Sequence, residues 1–186
     1  MPVQREVINQ LKTRRFFSPD MKEELEPFNN HVVFIWDSFK LGFPSQKFFE
    51  HCPLLGEAFT VENNFIMRIC PTFPIIKQAR SEESNKFNAT RVWGEAYVAG
   101  VHDMMRLDAI MDNLGSFRRR KRYIALADQH WPGGNTARNV TVQAWVYIAT
   151  DNFWTEMENS LNIGSQTRRN GKLYWEWLHQ NMRPTN

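Results

Sequence analysis

VWGEAYVAGVHDMMRLDAIMDNLGSFRRRKR, residues 92–122, reads as strand, turn, helix, turn, strand. Val92, Gly94, Ala96 and Val98 alternate with Trp93, Glu95 and Tyr97, the period of two that a half-buried strand requires. Gly100 breaks the alternation. Met104, Leu107, Ala109, Ile110 and Met111 then recur near helical spacing, with Arg106, Asp108 and Asp112 interleaved. Asn113-Leu114-Gly115-Ser116 stops the helix with residues that tolerate left-handed dihedrals. A second strand starts at Phe117.

These residues resemble the γ-glutamyl cyclotransferase family, the AIG2-like proteins. That family carries a strand of type G-E-[LV]-Y, a short helix with R-L-D-x-[FL]-E-G, a loop, and [YF]-x-R at the next strand. Gly94-Glu95-Ala96-Tyr97, Arg106-Leu107-Asp108-Ala109-Ile110-Met111-Asp112 and Phe117-Arg118-Arg119 match it without a gap. The family's catalytic Glu falls on Met111.

Upstream, Val32-Val33-Phe34-Ile35-Trp36 is a continuous apolar run, as in a strand buried on both faces. The family has V-[FY]-x-Y-G-[ST]-L-[KR]-x-G here, with the substrate held by the loop after the strand. The resemblance therefore implies a substrate contact surface at Trp36, Asp37, Ser38 and Phe39, with Phe117 opposite, and Lys40 and Gly42 closing the loop. Trp36 replaces a Tyr and loses its hydroxyl. Asp37 replaces a Gly whose open backbone lets N–H groups approach the substrate carboxylate. A second carboxylate at that point opposes an anionic ligand.

Around this core, Phe43–Gly56 reads as an extended lead-in with a short helix. Leu55–Val61, Phe65–Ile69 and Pro71–Ile76 match further family strands. Residues 80–91, RSEESNKFNATR, read as a polar loop. Tyr123–Ala127 and Val140–Ala149 are strands, the latter with Val142, Ala144, Val146 and Ile148 on one face. The resemblance covers roughly residues 32–150. Three parts are expected: a helical arm over 1–30, a cyclotransferase-like domain over 31–150, and a helical or irregular extension over 151–186. The arm has Phe16-Phe17 at its centre, and the extension carries Trp154, Trp175 and Trp177. Such aromatics are suited to anchoring a protein partner or a second copy of the chain.

A chain of 186 residues with 42% hydrophobic and 13% aromatic content can bury one sizeable core. No apolar run reaches membrane-spanning length, and the basic start MPVQREVINQLKTRR lacks the apolar centre of a secretory signal. A cytoplasmic setting is expected, with organellar and virion-associated locations left open, since such proteins also occur in phage genomes. Cys52 and Cys70 show no redox or metal spacing, and the five His form no ligand-spaced cluster, so neither metal nor cofactor is expected. Net charge is +3, too small for a dedicated nucleic-acid binder. The basic run Arg118–Arg122 reads as a solvated strand edge, protected by its charge from pairing with other chains.

The fold implied is α+β, a small, mostly antiparallel β-barrel with flanking helices. The family reaction is the attack of a γ-glutamyl α-amine on its own γ-carbonyl, giving 5-oxoproline and a free amine. One carboxylate must take a proton from the ammonium and return one to the leaving group. A methionine can do neither. Its loss commonly costs about 10²–10⁴ in rate. The reading favoured is a catalytically degenerate cyclotransferase-like protein acting as a binding or structural subunit. The alternative is an active enzyme, a γ-glutamyl cyclotransferase or related amide-cleaving enzyme, with the carboxylate relocated to Asp112 or Asp37. Asp112 is rotated by about 100° from the family position and is one carbon shorter than Glu.

Overall fold

The computed structural model describes residues 30–37, 44–70, 73–111, 115–127 and 140–178. The expected N-terminal arm, Ser38, Phe39, Lys40, Gly42, Asp112 and residues 128–139 lie outside the described residues.

Five strands close a barrel. In chain order they are β1 (Asn30–Ile35), β2 (Leu54–Thr60), β5 (Arg91–Gly100), β6 (Phe117–Leu126) and β7 (Val140–Ala149). Around the barrel they run β1-β7-β6-β2-β5, and β5 pairs back to β1. All pairings are antiparallel except β1–β7, which is parallel at Val33 and Trp145. Closure satisfies the backbone donors and acceptors that an open sheet would leave at its edges.

Because β1 is flanked by β5 and β7, the whole run Val32–Trp36 is buried, as its lack of alternation requires. Closing so small a barrel forces strands close together. A methyl group on Gly94 would stand 2.3 Å from the Ile35 carbonyl oxygen and 2.9 Å from the Phe34 ring, so only glycine lets the end of β1 lie on β5.

Strands β3 (Phe65–Cys70) and β4 (Phe73–Gln78) form a hairpin, extended by β8 (Asn162–Ile163) into a second, three-stranded sheet. Helix α1 (Ser81–Lys86) follows β4. Helix α2 (Val101–Met111) follows β5 without a break, and α3 (Asp151–Met157) follows β7. A 3₁₀ turn occupies Pro44–Phe49. Strands β9 (Gln166–Arg169) and β10 (Lys172–Trp175) are the last described strands, β10 lying parallel beside β5.

Several expectations are corrected. Residues 80–91 are not all loop, because Ser81–Lys86 forms α1. Its start is fixed by the Arg80 amide donating to the Glu83 carboxylate at 2.9 Å and by Lys77 reaching the same side chain at 2.8 Å. Those bonds hold the Glu83 carboxyl below its usual range. Phe117–Leu126 is one continuous strand rather than two. The basic run within it is an edge as expected: β6 pairs with β7 along its full length, but among the described strands β2 reaches only its last three residues, so Arg118–Arg122 is paired on one side.

Among the described residues, the extension after residue 150 is helical only at its start and in a 3₁₀ turn at Glu158–Ser160. Residues 162–175 are three strands built into both sheets. Trp175 and Trp177 are buried, and the Trp175 ring nitrogen donates to the Phe65 carbonyl at 2.9 Å. The C-terminal aromatics are therefore used within the chain. Among the described residues, no helix is long and apolar enough to cross a membrane.

Candidate functional site

Trp36, Phe117 and Met111, three of the positions that the resemblance assigns to the pocket, all lie in the buried apolar core. Helix α2 turns Met104, Leu107 and Met111 inward, while Ile110, grouped with the apolar face on spacing alone, is exposed. Met111 is 9% exposed and Trp36 1%, and both belong to one buried apolar cluster with Phe117. The Trp36 and Phe117 rings stand 6.4 Å apart, and Phe117 meets Phe153 of α3 at 5.6 Å. Asp37 directly follows Trp36 and is also buried, at 8% exposure. Three of the sequence-derived site residues, Trp36, Asp37 and Phe117, are thus buried, whereas Ser38, Phe39 and Asp112 lie outside the described residues.

A polar network sits one turn back along α2. The buried Tyr147 hydroxyl donates to Asp108 Oδ1 at 2.5 Å, and Arg119 reaches Asp108 Oδ2 at 3.2 Å. Arg119 also lies over the Trp145 ring, 4.4 Å from its centroid. Burial, then the bond to Asp108, pushes the Tyr147 hydroxyl well above its usual pKa, so it remains a donor at neutral pH. Asp108 and Arg119 come from matched motif segments, and Tyr147 from β7. The network therefore ties α2 to β6 and β7 and sets where Met111 falls.

Tyr147→Phe removes the donor and leaves Asp108 its Arg119 partner. A hydrogen bond to a charged group is worth about 1.5–3 kcal/mol. Asp108 is 37% exposed, and water takes up part of that. A loss of about 1 kcal/mol is expected by denaturant titration, and Asp108→Asn should lower the effect of the Tyr147 change in a double-mutant cycle.

No protein-family profile matches the chain, and no curated protein matches it. Solved structures do. The AIG2-like protein of Mus musculus superposes with a TM-score of 0.51 at 19% identity, over 76% of this chain and 99% of that one. The fold is γ-glutamyl cyclotransferase-like. The uropathogenic Escherichia coli protein c4763 gives a TM-score of 0.47 at 12% identity, over 68% of this chain and 84% of its own. A γ-glutamyl cyclotransferase gives 0.45 at 12% identity, over 65% and 67%. Identity this low speaks to architecture alone, and the α+β barrel with flanking helices expected from the sequence is what the chain shares with the Mus musculus AIG2-like protein.

On this cyclotransferase-like barrel a second group of reactive side chains gathers at the other end of α2. His51 Nε2 lies 2.7 Å from Asp103 Oδ1, and the Cys52 thiol points at Asp103 Oδ2 from 3.6 Å. The Gly100 amide donates to the same Oδ2 at 3.2 Å. Burial alone would raise the Asp103 pKa, but the bonds from His51, Gly100 and Cys52 outweigh it and hold the carboxyl below its usual range. Burial, with Asp103 adding to it, pushes the Cys52 thiol up to about 12. The sequence shows no sign of this grouping, because His51-Cys52 and Asp103 are about fifty residues apart and meet only through the β2–β5 pairing.

Proposed function

We propose that this cyclotransferase-like barrel does not carry out the family reaction and serves as a binding or structural subunit. One observation supports this above the others: Met111, at the position of the family's Glu, is buried in an apolar cluster with Trp36 and Phe117. A proton shuttle needs a titratable group that can reach a bound substrate. The position instead offers a group with no exchangeable proton. Asp37 adds negative charge where a γ-glutamyl carboxylate would bind, which disfavours that ligand further.

A protein partner or a second copy of the chain is part of the proposal, as is a cytoplasmic setting. With Trp175 and Trp177 taken up in the core, the docking role passes to the N-terminal residues around Phe16 and Phe17. The second reading, an active amide-cleaving enzyme, has one observation in its favour, the buried carboxylate of Asp37. A carboxylate is a group that can take up and return a proton. Assaying 5-oxoproline release from γ-glutamyl amines separates the two. The first reading expects none above the blank, and turnover abolished by Asp37→Asn would establish the second.

A further inference from the structure

The grouping at the N-terminal end of α2 has the composition of a metal centre. His51 and Cys52 follow the Pro44–Phe49 turn, and the Cys52 amide donates to the Phe49 carbonyl at 2.9 Å, which fixes the direction of this pair. Asp103 lies in the first turn of α2, its carboxylate oriented by the Gly100 amide. One ligand atom from each of the three lies within 4.8 Å of the other two.

In a tetrahedral site with metal–ligand bonds of about 2.0–2.3 Å, ligand atoms stand about 3.3–3.6 Å apart. The Sγ to Oδ2 distance of 3.6 Å already fits. Nε2 lies 2.7 Å from the other oxygen, Oδ1, so the His51 ring and the Asp103 carboxylate must rotate to set a single oxygen at ligand spacing from both Nε2 and Sγ. His51 is 57% exposed on its side chain, so the ring is free to turn and solvent can reach a fourth position.

We propose that His51, Cys52 and Asp103 bind a divalent transition metal of the zinc type through Nε2, Sγ and one carboxylate oxygen, leaving a fourth position for water or an external ligand. A nitrogen, a thiolate and a carboxylate suit borderline-soft ions and select against magnesium and calcium, which take oxygen ligands. As the metal binds, the Cys52 thiol gives its proton to solvent. Thiolate and carboxylate together then neutralise the two positive charges. The positive end of the α2 dipole and the guanidinium of Arg106, stacked on Phe48 at 4.8 Å, oppose the cation, and the two anionic ligands in direct contact with it prevail.

Met111 lies eight residues along α2, about 12 Å away. The inference therefore does not rest on the proposed loss of the cyclotransferase reaction.

Cobalt(II) titration of the chelator-stripped full chain tests it. The expected result is one equivalent of Co²⁺ giving a thiolate-to-metal charge-transfer band together with the intense d–d bands of tetrahedral coordination, displaced by Zn²⁺ and not by Mg²⁺. Cys52→Ser should abolish the charge-transfer band. His51→Ala, at an exposed position that leaves the core intact, should weaken binding about tenfold or more. No charge-transfer band in the wild type overturns the proposal. So does a band that survives Cys52→Ser, or an affinity unchanged by His51→Ala in a variant with wild-type circular dichroism.

Discussion

Gly94→Ala is expected to lower stability by about 3 kcal/mol or more, the upper range for forcing extra volume into a packed interior. The added methyl would meet the Ile35 carbonyl oxygen at 2.3 Å and the Phe34 ring at 2.9 Å. The first contact is with backbone, which a rotamer change cannot relieve. Either β1 moves off β5, breaking the closure between Phe34–Ala96 and Ile35–Glu95, or β5 bulges. For a chain of this size the loss corresponds to a fall in Tm of about 6–12 °C.

Gly100→Ala, in the same strand, is the control. Its added methyl meets only Asp103 Oδ2 at 3.5 Å, an ordinary contact, and an effect within about 0.5 kcal/mol is expected. Denaturant midpoints of the two variants measure the difference. Equal, small effects would mean that β1 does not close the barrel against β5.

Met111→Glu restores the family's carboxylate to a position with 9% exposure. The ionised form loses water there, and its folded pKa rises above the unfolded value of about 4.3. A rise of about two to three corresponds to about 3–4 kcal/mol. The sign follows from linkage. Below the unfolded pKa the side chain is neutral in both states, and the variant loses only methionine packing. As pH rises through the window between the two pKa values the unfolded state ionises first, so the deficit grows and then levels above the folded pKa.

Met111→Gln, similar in shape and uncharged, should show a deficit flat with pH. Stability curves of wild type, Met111→Glu and Met111→Gln between pH 4 and pH 8 read this directly. A glutamate variant whose deficit does not grow with pH would mean that the position opens to water, and the filled-pocket reading would fail.

What could be read from the sequence followed the strength of the local pattern. The run Val32–Trp36 announced a strand covered on both faces, and Val142, Ala144, Val146 and Ile148 announced one buried face of β7. All of these are buried. The alternation in β5 implied one solvated face, yet Trp93 and Tyr97 are buried as well as Val92 and Ala96. Trp93 is covered by Phe59, Tyr174 and Arg169, and Tyr97 by Phe49, neighbours that sequence spacing does not reveal.

Strands β8–β10, two to four residues long, are too short to show a period. A signal for the last hairpin is nonetheless present. Asn170-Gly171 is the dipeptide that favours a type I′ turn, and both residues have positive φ, 47° and 77°, between the paired Arg169 and Lys172. At the candidate site, Met111, Trp36, Asp37 and Phe117 rest on the motif match alone, and all four are buried. The Asp108–Tyr147–Arg119 network and the His51–Cys52–Asp103 grouping arise from tertiary pairing and carry no spacing of their own.

The account stands most directly on whether the chain releases 5-oxoproline. Purified full-length protein, at concentrations high enough to detect turnover 10⁴-fold below that of a working acid–base catalyst, should yield none above the blank from a panel of γ-glutamyl amines. Steady release of 5-oxoproline and free amine that Asp37→Asn abolishes would contradict it.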